Sequence, residues 1–189
     1  MILYRVFPHD GRASEGELGG PLWWPRGLQG DGRHDNPELY TCMYGSEVAI
    51  SPVAEALAPF RGTGQVAPEM LVRGELALAL ARLSLTDDAE LVDLDDPRVL
   101  LEEELRPSRV ATRERSLTQA QAARLFEAHA ASAGLRWWSA LESLWINATL
   151  FDRASSALEV LEIEPLSLDS EPVREAATLL GLALLDSAP

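Results

Sequence analysis

The chain of 189 residues contains no lysine; all sixteen of its basic residues are arginine. That absence excludes a P-loop lysine and Schiff-base catalysis by a lysine. Any anion the protein binds must be held by arginine, histidine, hydroxyls or backbone N–H groups. A single cysteine, Cys42, excludes an internal disulfide and any multi-cysteine metal site. The three histidines, His9, His34 and His129, have no metal-ligand spacing. No apolar run approaches the ~20 residues of a membrane helix, and one of the longest, Leu179 to Leu185, is interrupted by Gly181. The start, Met1-Ile2-Leu3-Tyr4-Arg5, has no basic region ahead of an apolar core, so no signal peptide is expected. A cytoplasmic location is the expectation. Positive charge is scarce, with a formal net charge of -14. Such a chain repels phosphate backbones and is not expected to bind nucleic acid directly, but it attracts a basic partner protein. Internal repeats and low-complexity linkers are also missing.

What is present reads as one domain over 1–189 of α+β class, with a mixed or antiparallel sheet. Ile2 to Phe7 reads as a strand, and Pro8 to Pro37 as a long irregular segment of the kind that is usually functional. Leu39 to Ile50 leads from strand to turn. Ser51-Pro52 reads as a helix start, with Ser51 as N-cap and the helix running through Glu55 to about Phe60. Arg61 to Val66 reads as a loop. Leu76 to Leu85 fits strand or helix. Ala89 to Leu94 reads as a strand, and Asp95-Asp96-Pro97 opens a helix to about Leu105. Thr118 is expected to cap a helix over about Gln119 to Ser132 that Gly134 ends. Strands follow at Leu135 to Ala140, Trp145 to Phe151 and Leu158 to Ile163. A final amphipathic helix is expected over about 171–185.

Five residues stand out chemically. Arg33, Tyr44 and Glu55 follow one another at steps of eleven residues. Arg33 sits in a Gly-Asp-Gly-Arg turn. Glu55 has Val53, Ala54, Ala56 and Leu57 as neighbours, which suggests a partly buried carboxylate that needs a reason to be there. Arg5 stands in an apolar strand, so its guanidinium must find a partner; an internal carboxylate and a ligand phosphate both suit its planar fork. Ser139 follows the pair Trp137-Trp138. Taken singly, Tyr44 and Tyr40 read as core tyrosines, Ser139 as a structural serine and His129 as a packed histidine. Asp93, Asp95 and Asp96 read as a solvated turn with a helix cap. No nucleophile elbow is present.

The order of these pieces resembles the RES domain, named for its arginine, glutamate and serine. The resemblance runs from Leu3 to about Pro165. It is carried by Leu3-Tyr4-Arg5-Val6, Gly32-Arg33 with Asn36-Pro37, Leu39-Tyr40 with Tyr44, and Ser51-Pro52 with Ala54-Glu55. It continues through Asp93-Leu94, Arg106-Pro107-Ser108-Arg109, Thr118-Gln119 and Gly134-Leu135-Arg136-Trp137-Trp138-Ser139. His34 departs from it, standing where an aromatic residue is more usual. The resemblance implies an ADP-ribosyltransferase-like fold that takes NAD as substrate, with no metal. It also implies a toxin of a bacterial toxin–antitoxin pair, restrained by an antitoxin with a helix-turn-helix domain. Arg5 and Arg33 would then hold the pyrophosphate and nearby ribose, and Tyr44 would pack near the nicotinamide or its ribose. Glu55 would stabilise the ribosyl cation or align the acceptor, and Ser139, with Ser143 as the fallback, would bond the nicotinamide side. The expected reaction is hydrolysis or phosphorolysis of the nicotinamide–ribose bond. ADP-ribosyl transfer to a protein is the alternative enzyme, and a non-catalytic nucleotide-binding or regulatory module the alternative outside catalysis. Whether the chain forms a homo-oligomer stays open.

Overall fold

A computed structural model describes residues 1–185. In chain order the elements are β1 (Ile2–Pro8), β2 (Cys42–Ser46), α1 (Ile50–Leu57), β3 (Gln65–Val66), β4 (Val72–Arg73), β5 (Leu76–Leu85) and β6 (Leu91–Asp93). They continue with α2 (Pro97–Glu102), α3 (Pro107–Val110), α4 (Arg115–Ala128), β7 (Gly134–Trp138), β8 (Ile146–Phe151), β9 (Leu158–Pro165), α5 (Glu171–Leu180) and β10 (Ala183–Leu184). Single 3-10 turns lie at Arg26–Leu28, Ala58–Thr63, Pro68–Leu71 and Asp152–Ala157. The chain is α+β and its sheet is mixed. By its contacts it divides into two compact units: one of Met1, Trp24–Glu47 and Ser84–Glu159, the other of Ile2–Trp23, Val48–Leu83 and the chain from Val160 onward.

In the first unit β8 is flanked by β2 and β7, both antiparallel to it, while β6 runs parallel to β7. The register sets Tyr44 opposite Thr149 and Thr149 opposite Leu135. Because side chains alternate along a strand, these three share one face. Gly134 begins β7 instead of ending a helix, because its Cβ position lies 2.1 Å from the Thr149 carbonyl oxygen and admits no side chain. The helix before it, α4, starts earlier than the sequence predicts and ends at Ala128. Thr118 is therefore not its cap but a fully buried residue inside it. The core gathers Tyr40, Leu94, Val110, Leu125, Leu135, Trp137 and Phe151 among its members. Tyr40, Phe126 and Phe151 form a triangle of rings with centroids 4.6 to 5.0 Å apart.

In the second unit β5 lies between β4 and β1 and also pairs with β9. Leu76 to Leu85 is thus strand, its ladder partners outweighing the helix propensity of its alanines. Helix α5 buries Val173, Ala176, Ala177 and Leu180, the i, i+3, i+4, i+7 stripe of an amphipathic helix, and packs against α1. It stops at Gly181, whose φ of 68° closes the helix. The expected helix to 185 is thereby shortened; the chain instead adds β10 parallel to β3. Helix α1 starts one residue ahead of Ser51, and Ala49, at its cap position, already has helical dihedrals and makes no side-chain cap. Ser51 is buried within the helix, a correction to its role as N-cap. Arg61 to Val66, read as a loop, holds the end of a 3-10 turn and β3.

Candidate active site

A polar cluster of the first unit is built on the turn Gly30–Asn36. Asp35, 7 % exposed, is its knot. One carboxylate oxygen accepts the N–H groups of Gly30 and Gly32, each at 2.8 Å. The other accepts the Tyr44 hydroxyl at 2.7 Å and the Cys42 thiol at 3.3 Å. Burial alone would raise the Asp35 pKa, but these bonds outweigh it and hold the carboxyl below its ordinary value. Gly32 is required here, because a Cβ would lie 2.4 Å from the Asp35 carboxylate and 2.6 Å from the Tyr44 hydroxyl. The Tyr44 oxygen also accepts the His34 N–H at 2.9 Å. Burial pushes the Tyr44 phenol well above its ordinary pKa, with the charge of Asp35 acting the same way. Tyr44 is accordingly a protonated strut, with a fixed ring, at neutral pH.

Arg33 is nearly buried at 6 % exposure. Its Nη1 donates to the Val110 and Thr112 carbonyls at 2.9 and 2.6 Å, and its guanidinium carbon lies 4.8 Å from the centre of the Trp137 ring. Carbonyl dipoles and an aromatic face orient a guanidinium. The Arg33 carbonyl accepts the Thr118 hydroxyl at 2.6 Å. The Gln119 amide donates to Gly30 and Gly32 at 2.8 and 2.9 Å. Asn36 in turn donates to the Gln119 carbonyl and the Tyr40 hydroxyl.

His34 lies edge-on to Trp137, its ring centre 5.2 Å away, and its Nδ1 meets the Thr149 hydroxyl at 2.8 Å. Thr149 also accepts the Trp137 indole N–H at 3.0 Å. Burial, with the Arg33 charge second, lowers the His34 pKa to about 3. The ring is neutral at physiological pH and fills the place of the expected aromatic residue.

Ser139 follows the end of β7 and is 2 % exposed; its N–H bonds the Trp145 carbonyl and its hydroxyl accepts the Leu141 N–H at 3.1 Å. Ser143, four residues on, is exposed. The structure therefore brings Arg33, Tyr44 and the unforeseen His34, Asp35, Thr118, Trp137 and Thr149 into one network.

Arg5 and Glu55 belong to the second unit. Arg5 donates to the Pro21 carbonyl and, at 3.1 Å, to that of Trp23; burial lowers its pKa to about 10, so it stays charged at neutral pH. Glu55 is exposed, while Val53, Ala54 and Leu57 point into the core. The expected partial burial is corrected by helix geometry, in which flanking residues lie on other faces. Asp96 caps α2 by accepting the Arg98 N–H at 2.8 Å. His129 stands at the C-terminal end of α4, 2.7 Å from Glu103. Among the described residues no three histidines, cysteines or carboxylates are grouped to hold a metal ion, and no helix is long and apolar enough to cross a membrane.

The sequence matches no protein-family model and no curated protein. The structure resembles a chain in the crystal structure of the M. tuberculosis MbcT–MbcA toxin–antitoxin complex, with a TM-score of 0.63 and 19% identity. The match covers 95% of this chain and 88% of that one. The likeness is one of fold.

Proposed function

We propose that the protein is an NAD-degrading toxin of the RES type, cleaving the nicotinamide–ribose bond by hydrolysis or phosphorolysis and restrained by a cognate antitoxin. The observation that carries this reading is the network that locks Arg33 and Tyr44, in which Asp35 ties the turn Gly30–Asn36 to the phenol and two carbonyls and Trp137 fix the guanidinium. The likeness to a chain of a toxin–antitoxin complex supports the same reading.

In this mechanism Arg33 and Arg5 bind the pyrophosphate, so that binding energy away from the reacting carbon orients it. The Tyr44 ring packs near the nicotinamide or its ribose. As nicotinamide leaves, positive charge develops on the ribose, and the Glu55 carboxylate stabilises it and aligns water or phosphate. Ser139 bonds the nicotinamide side; its burial favours it over Ser143. The partner is an antitoxin with a helix-turn-helix domain, and a basic surface on it suits the net charge of this chain.

The test is nicotinamide release from NAD by purified protein, with and without phosphate. Release that needs phosphate identifies phosphorolysis, release in water alone hydrolysis, and label on a protein ADP-ribosyl transfer. Glu55→Ala is expected to lower kcat by about 10²–10³. No release by the unaltered protein under any condition overturns the reading.

A further inference from the structure

The segment Arg106 to Arg115 carries four arginines, Arg106, Arg109, Arg113 and Arg115, against one acid, Glu114. A local net charge of +3 within ten residues stands out in a chain of -14. All four arginines are exposed. Among the described residues none of the four has a carboxylate within ion-pair distance, whereas Arg124 and Arg136 are held by acids at 2.7 and 2.8 Å. The stretch is also fixed in place. Val110 is buried in the core, and the carbonyls of Val110 and Thr112 are the ones that receive Arg33. The charge of Arg115 reaches His34, where it helps to lower the pKa.

We propose that Arg106, Arg109, Arg113 and Arg115 form an anion-recruiting rim beside Arg33, which draws pyrophosphate-bearing dinucleotides to the site against the repulsion of the chain as a whole. The inference rests on the dinucleotide reading given above. Its physical basis is range. Ions screen charge over about 10 Å at 0.1 M salt, so a distant acidic surface is screened while a nearby basic rim still acts. At low ionic strength a steered encounter raises association rates by 10-fold or more.

The two fields predict opposite signs. If the rim dominates, kcat/KM for nicotinamide release falls as salt is raised from about 20 to about 200 mM, by about threefold to tenfold. If the net charge dominates, kcat/KM rises. The variant Arg113→Glu with Arg115→Glu should invert the slope and lower kcat/KM at low salt by about 10-fold with kcat nearly unchanged. The side chains are exposed, and Glu at position 115 starts α4 where a negative charge suits the helix dipole, so folding is retained. Arg98→Gln, which removes a positive charge paired with Asp96, should keep the original sign. A flat or rising slope in the unaltered protein, or a double variant with the same slope, overturns the rim. Binding of inorganic pyrophosphate, read by tryptophan fluorescence, keeps the two readings apart. Salt-weakened pyrophosphate binding without nicotinamide release leaves the rim standing and removes NAD cleavage; nicotinamide release that rises with salt does the reverse.

Discussion

The two ends of α4 are braced in opposite ways. Near its start Thr118 and Gln119 hold the turn Gly30–Asn36 through neutral hydrogen bonds to the backbone of Gly30, Gly32 and Arg33. The charge inside that turn, on Asp35, is met by N–H, O–H and S–H donors. At the far end Glu103 is met by the Arg124 guanidinium at 2.7 Å and the His129 ring at 2.7 Å, both close to water. Neutral donors around a covered carboxylate fix directions and are insensitive to salt, because no mobile countercharge can replace them. Exposed ion pairs exchange with water and salt at little cost. The site is built on the first kind of brace.

Asp35→Ala is the largest break in that comparison. It leaves the half-buried Gly32 N–H and Tyr44 hydroxyl, and the N–H of exposed Gly30, without their acceptor. Water replaces the lost acceptor at Gly30, while the other two orphans cost about 1–3 kcal/mol each, so a loss of about 2–5 kcal/mol is expected, read from the urea midpoint and unchanged by salt. A loss under about 1 kcal/mol would place Asp35 with ordinary surface acids.

His34 sharpens the comparison through pH. Its pKa falls from an ordinary 6.5 in the unfolded chain to about 3 when folded. Between those values the unfolded state binds the extra proton, so stability rises with pH through the window and falls as acid is added. Above about 6.5 the term vanishes. The unaltered protein is expected to lose up to about 1.4 kcal/mol per pH unit from this ring below its ordinary pKa, and His34→Gln should remove that slope. Asp35 acts in the same direction lower down, since its depressed pKa gives stability that is lost as pH falls below the ordinary 3.8. Urea midpoints at several pH values decide it: parallel curves for the two proteins would exclude a buried neutral His34.

The sequence makes legible the elements whose signals are local. β1, β7, β8 and β9 are apolar runs, and the start of α2 is written in Asp96-Pro97. Arg33 and Tyr44 are singled out through a resemblance that runs from Leu3 to about Pro165. Asp35 and Thr149 are not, because their value comes from partners far along the chain. Thr149 meets His34 across 115 residues, and Thr118 meets the Arg33 carbonyl across 85. A threonine ahead of a helical stripe reads as a cap until the loop it binds is known. The partial burial expected of Glu55 fails differently: its neighbours in sequence are apolar, but a helix sends them inward and leaves the carboxylate outside. The glycines carry a usable signal, since Gly32 and Gly134 stand where close approach forbids a side chain.

Glu103→Gln gives the smallest effect and tests the other end of α4. Burial would raise the Glu103 pKa, but hydrogen bonds from His129 and Arg124 more than offset it and leave the carboxyl depressed. Its contribution is therefore present above the ordinary 4.5 and lost as pH falls through the depressed value. The Arg124 side chain is 48% exposed and that of His129 38%, so solvent screens both partners. The expected loss is under about 1 kcal/mol at low salt and shrinks further as salt is added. Nicotinamide release should be unaffected, because the brace at this end touches Glu103 and not the arginine turn. A loss as large and as salt-independent as that of Asp35→Ala would mean that ions near water can lock this fold as firmly as covered neutral donors, and the contrast between the two ends of α4 would fall.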